Sequence, residues 1–147
     1  MLGLEKYTYF TNFNGLDYEF ESIGPKGIIK KVARFSKMKA VNTYNFGFGD
    51  LNEATGEIDD SISSNNADQE KIIGTLGNII VDFLGQNISS QIYIEGTDVR
   101  RTRFYQIYLN RYFDELNKNF IIFGFKNNRW SSFEKGVNYE AFLGKRK

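Results

Sequence analysis

The sequence contains no cysteine and no histidine among its 147 residues. The first absence excludes disulfides and thiolate chemistry. The second removes the usual zinc ligand and the commonest general base. A Ser-His-Asp triad, a Cys-His dyad and a His-based metal centre are therefore all excluded. Any catalysis would fall to Asp, Glu, Lys, Arg, Tyr, Ser or Thr, with carboxylates holding a divalent ion where one is needed. Proline occurs once, at Pro25. No linker, internal repeat or low-complexity tract is visible, so a single domain over residues 1–147 is expected. The longest apolar run is four residues, Phe120 to Phe123, against the roughly 20 that span a bilayer. Met1 to Phe10 lacks a basic stretch followed by an apolar run, so no secretory signal is expected. No membrane contact and a cytoplasmic location follow as expectations.

What is abundant is aromatic. Phe, Tyr and Trp make up 16% of the chain, enough to drive collapse around a packed core. Formal net charge is only +1, which gives no global pull toward DNA or RNA. The charges are nevertheless segregated along the chain. Lys26, Lys30, Lys31, Arg34, Lys37 and Lys39 run without an acidic residue among them. Asp50, Glu53, Glu57, Asp59, Asp60, Asp68 and Glu70 then run without a basic one. Arg100, Arg101, Arg103 and Arg111 form a second basic group, and Lys145 to Lys147 a basic tail.

Period-two alternation identifies strands. Leu16, Tyr18 and Phe20 alternate with Asp17, Glu19 and Glu21. The turn signal Gly24-Pro25-Lys26-Gly27 leads into an antiparallel partner over Ile28 to Lys37, with Ile29, Ala33 and Phe35 on one face. Tyr44, Phe46 and Phe48 alternate with Asn45, Gly47 and Gly49 in a third strand, whose glycines leave the backbone open or closely approached. Glu57 to Ile62 reads as a short edge strand. Ser63 to Asp68 is a helix-start signal in which Asn66 or Asp68 can accept first-turn N–H groups. Ile72, Ile73, Leu76, Ile79, Ile80, Phe83 and Leu84 follow at helical spacing up to Gly85. Gly74 and Gly77 cost that helix about 1 kcal/mol each against Ala and imply close contact with the sheet. A strand over Gln91 to Glu95, a helix from about Asp98 to Lys118, and strands over Phe120 to Phe125 and from Trp130 to Phe133 come next. Asn138 is placed to cap a short final helix carrying Tyr139, Phe142 and Leu143. The expected fold is α+β: a mixed sheet of about five strands, antiparallel first and β-α-β afterwards, with two main helices, in ribonuclease H-like element order.

The segment Glu95 to Arg103 joins a strand end to a helix start, a favoured ligand position. Free N–H groups and partial positive charge there suit phosphate. Three arginines in that first turn or two oppose the dipole, so their placement needs a compensating reason. Arg100, Arg101, Arg103, Thr97 and Arg111 are the candidate anion-binding residues. The plainer reading pairs Arg101 with Glu95 or Asp98 and leaves Arg100 and Arg103 solvated. Lys30, Arg34, Lys37 and Lys39 form a secondary basic face that could follow a phosphate backbone, or could simply block edge-to-edge aggregation. Weak catalytic candidates are Glu95, Asp98, Glu70 and Asp17, the carboxylates that a divalent-metal nuclease would need. Asp59-Asp60 near Asp50 lacks calcium-loop spacing, and no metal site or cofactor is assigned outside the nuclease reading.

Several runs carry a resemblance. They are Asn45-Phe46-Gly47-Phe48-Gly49-Asp50, Asp59-Asp60, Ser64-Asn65-Asn66 with Asp68, Ile94-Glu95-Gly96-Thr97, Arg101 to Tyr105, Trp130 to Gly136 and Asn138 to Phe142. Together they resemble a family of small proteins of unknown function from Bacteroidota, over most of the chain. The resemblance implies a stand-alone domain and a bacterial source, and transfers no catalytic or binding residue.

The leading expectation is a non-catalytic binding module for nucleic acid or another phosphate-bearing ligand. The alternatives are a protein-interaction subunit of a toxin–antitoxin or defence pair, and a divalent-metal-dependent nuclease.

Overall fold

A computed structural model describes residues 2–59 and 65–147. In chain order the elements are β1 (Phe10–Thr11), β2 (Asp17–Gly24), β3 (Gly27–Lys37), β4 (Thr43–Leu51), β5 (Ile58–Asp59), α1 (Gln69–Gln86), β6 (Gln91–Ile94), α2 (Val99–Leu116), β7 (Phe120–Lys126), β8 (Arg129–Ser132) and β9 (Ala141–Arg146). The expected strand beyond Asp59 and the Ser63-Ser64 start of the helix signal, with Asp60, lie outside the described residues. The protein is α+β, with a mixed sheet and two helices. Among the described residues the sheet has nine strands rather than about five, in the order β1-β2-β3-β4-β6-β9-β7-β8 with β5 on β4. The β4–β6 pair is parallel. Element order alone does not imply that β9, the last strand of the chain, inserts between β6 and β7. No helix among the described residues is long and apolar enough to cross a membrane.

The chain divides into two compact units, Met1–Ser36 with Gly47–Gln86, and Lys37–Phe46 with Asn87–Lys147. In the first, β2 and β3 form the hairpin that the Gly-Pro-Lys-Gly turn dictates, with Tyr18 opposite Ala33 and Phe20 opposite Lys31. Tyr18, Phe20, Ala33 and Phe35 are buried, as are Ile72, Leu76, Ile79 and Phe83 of α1. Phe83 stacks on Phe35 with centroids 3.8 Å apart. Lys31 is buried as well, and forms an ion pair with Asp50. The glycine-bearing side of β4 is closely approached, as its sequence implies: a Cβ at Gly49 would lie 2.6 Å from Ile58 Cγ2.

Two expectations about α1 need correction. A Cβ at Gly74 would lie 2.3 Å from the Glu5 carbonyl oxygen, so this glycine admits the N-terminal segment rather than the sheet. Nor do the side chains of Asn66 and Asp68 cap the helix. Asn66 is fully buried; its amide donates to the Gly27 carbonyl (2.9 Å) and to Ser22 Oγ (3.2 Å) and accepts from Lys26 N–H (2.7 Å). Asp68 Oδ2 accepts from the Tyr7 hydroxyl (2.7 Å) and from Ser22 Oγ (2.6 Å). Both are drawn away by the donors and acceptors of the β2–β3 hairpin, since a buried polar group must find partners wherever they lie.

In the second unit, β6 pairs with β4 (Phe46 with Ile94) and with β9 (Ile92 with Gly144), and β7 pairs with β9 and β8. The expected final helix is instead β9. Tyr139, Phe142 and Leu143 do fall at helical spacing. Ala141 to Arg146, however, pair with β7, and Phe142 to Lys145 pair with β6 as well. Strand identity here comes from neighbours rather than from local propensity. Phe46, Ile92, Ile122 and Phe142 turn toward α2, where Tyr105 meets Phe46 at 6.4 Å and Phe113 meets Phe133 at 5.1 Å. Of the expected α2 stripe only Tyr105 is fully buried; Tyr108, Leu109, Tyr112, Phe113 and Leu116 are half-buried. Gln106, absent from that stripe, is buried, donating to the Val137 carbonyl (2.9 Å) and accepting from Tyr139 N–H (3.0 Å).

Candidate functional site

The junction between β6 and α2 is tied down by short-range bonds. Asp98 holds extended geometry, φ −146° and ψ 175°, and its Oδ1 accepts from Arg101 N–H at 2.8 Å, an N-cap. Thr102 Oγ1 accepts from Gly96 N–H at 3.0 Å. A Cβ at position 96 would lie 2.3 Å from Thr102 N, so glycine is required where loop and helix touch. The first turn of α2 contains no acidic residue.

Each predicted site residue can now be placed. Arg100 and Arg103 are exposed and form no ion pair among the described residues. Arg101 is half-buried and Thr97 exposed, and both have contacts within the protein. Arg111 lies two turns further along, its guanidinium 5.1 Å from the centre of the Tyr108 ring. Glu95 is engaged by the Tyr93 hydroxyl at 2.5 Å. Burial first, and then the bond to Glu95 and its charge, push the Tyr93 phenol up to about 12.

The secondary basic face is largely met by its own protein. Lys30 pairs with Glu53 at 2.6 Å. Arg34 grips Asp17 through Nε (2.8 Å) and Nη2 (3.0 Å) and donates to the Gly56 carbonyl. These hydrogen bonds are the main reason both cations hold their protons more tightly than usual. Lys37 sits over the Tyr44 ring at 5.5 Å, and Lys39 is exposed. Of the carboxylate candidates, Asp17 and Glu70 belong to the first unit, Glu95 and Asp98 to the second. Asp17 is taken by Arg34, Glu95 by Tyr93 and Asp98 by the helix cap; Glu70 stands in the first turn of α1. No group of three or more Asp or Glu among the described residues is arranged to hold a metal.

The register adds residues that sequence reasoning did not single out. Successive strand side chains alternate between faces. With Phe46, Ile92, Ile122 and Phe142 toward α2, the opposite face of this unit's sheet carries Tyr93, Phe123, Phe125, Trp130, Leu143 and Lys145. Trp130 is 39% exposed and meets Tyr93 edge-on at 6.1 Å and Phe125 at 5.1 Å. Lys145 Nζ stands 6.0 Å from the Phe123 ring centre. The alternation within Phe120 to Phe125 is legible in sequence; which cross-strand neighbours share its face is not.

A separate cleft of about 540 Å³ lies in the first unit, bordered by Lys6, Tyr7, Phe10, Glu21, Ile23 and Lys71. Lys71 Nζ stands 4.3 Å from the Tyr7 ring centre, and the Tyr7 hydroxyl accepts from the Ile23 N–H at 3.1 Å.

These features define a small α+β protein whose second unit combines exposed Arg100 and Arg103 at a helix start with an aromatic sheet face. The chain belongs to a family of unknown function (DUF6934), matched over residues 3–147. No curated protein and no solved structure matches it.

Proposed function

We propose that this protein is a non-catalytic module that binds nucleic acid, through the end of the second unit's sheet at which α2 begins. The observation that carries this reading is the pair Arg100 and Arg103, exposed and without ion-pair partners among the described residues, at the end of β6 where Tyr93 meets Trp130. Arg100, the second residue of α2, opposes the helix dipole, at a cost of roughly 0.3–1 kcal/mol. The Asp98 carboxylate caps the helix, but no acidic residue stands within its first turn beside Arg100. A phosphate backbone would supply a counter-charge to Arg100 and Arg103 and would meet the first-turn N–H groups that Asp98 leaves open. The engagement of Asp17, Glu95 and Asp98 in structural contacts favours binding over metal-assisted cleavage. The internal pairing of Lys30 and Arg34 leaves β3 out of the interface.

The test is polynucleotide binding as a function of salt. Wild-type affinity should fall steeply with salt. Arg100→Ala/Arg103→Ala should weaken binding and lower the log–log slope by about one for each phosphate that is no longer neutralised. An unchanged slope in the double variant would refute the assignment.

A further inference from the structure

The aromatic sheet face of the second unit names the form of the ligand, on the assumption that the nucleic-acid reading holds. We infer that the ligand is single-stranded, with its unpaired bases stacked on Tyr93, Phe123, Phe125 and Trp130 and its backbone followed by Lys145 and the arginines at the start of α2.

Three observations converge on this. First, the four rings come from three strands, β6, β7 and β8, and share one face because cross-strand register places them there. The Tyr93–Trp130 and Phe125–Trp130 contacts join three of them, and Phe123 stands on the same face beside Lys145. Second, this unit's helix does not cover them: α2 packs on the other face through Tyr105 and Phe113. Third, the face carries charge of the sign that nucleic acid needs. Lys145 rises beside Phe123 at the Gln91 end of β6, while Glu95 lies beyond the other end, where Arg100 and Arg103 follow it. The sign of that charge selects the occupant. A second copy of the chain would set Lys145 against Lys145, whereas a polynucleotide brings compensating phosphates. Flat rings flanked by cations fit splayed bases, which stack on any aromatic face. A duplex keeps its bases paired and stacked inside and offers such a surface nothing.

Trp130 is the only tryptophan in the chain, so its fluorescence reports on this face alone. The experiment titrates the full chain with oligothymidine DNA and with a duplex of equal length at low salt. Binding is followed by anisotropy of the labelled nucleic acid and by Trp130 emission. The single strand should bind more tightly than the duplex and quench Trp130. Phe123→Leu, which keeps an apolar side chain, should weaken single-strand binding about tenfold and leave duplex binding unchanged. Its urea midpoint, measured alongside, separates a stacking defect from a folding defect. Equal affinity for the two forms, single-strand binding that leaves Trp130 emission unchanged, or a Trp130-dependent homodimer in its place would overturn the inference while salt-dependent binding survived. Absence of binding to either form would overturn the nucleic-acid reading with it.

Discussion

Tyr93 shows how one side chain can serve two purposes. Its ring lies on the aromatic face, and its hydroxyl engages the carboxylate of Glu95, fixing that side chain's position. Burial and Glu95 hold the phenol at about 12 against an ordinary 10.0. Tyr7, Tyr9 and Tyr18 are also raised, each mainly by burial. Because the folded state holds these protons more tightly than the unfolded chain, their stabilising contribution is complete below pH 10 and is lost as the pH rises toward 12. The urea midpoint should therefore fall across that window. In phenolate absorbance titrations, a component near 12 should be missing from Tyr93→Phe and move down in Glu95→Gln. A wild-type titration complete near 10 would contradict the Tyr93–Glu95 contact. Other residue roles are beyond reach of the sequence. Asn66 and Asp68 sit where helix caps belong, and only the folded hairpin supplies the Gly27 carbonyl and Ser22 that, with Tyr7, claim them instead.

Among the elements, legibility follows length and periodicity. β2 and β4 alternate along most of their length, and α1 and α2 carry 18 residues each, so their patterns survive tertiary context. β1, two residues long, has no pattern to read, whereas β5 falls within the edge strand expected over Glu57 to Ile62. β9 carries a helical spacing of apolar residues that pairing on both sides overrides. A similar conflict between propensity and packing occurs inside α1. Helix propensity alone predicts that Gly74→Ala gains about 1 kcal/mol. The Glu5 carbonyl, 2.3 Å from where the methyl would stand, predicts the reverse. The variant should unfold at lower urea than wild type, and a higher midpoint would mean that the N-terminal segment does not hold this position against α1.

For the molecule as a whole, a net charge of +1 conceals an uneven distribution of unsatisfied charge. The cations of β3 are largely consumed by acidic neighbours in the first unit, through Lys30–Glu53, Lys31–Asp50 and Arg34–Asp17. Arg100 and Arg103 in the second unit are left without such partners among the described residues. The sequence displays both basic runs equally and does not reveal which is spent, because ion pairing depends on which strands lie side by side. The most direct test of the account is a chemical-shift map of the isotopically labelled protein on addition of oligothymidine DNA. The account predicts perturbations centred on Tyr93, Arg100, Arg103, Phe123, Trp130 and Lys145, with β3 unmoved. Perturbations centred on Lys30 to Lys39, or none anywhere, would contradict it.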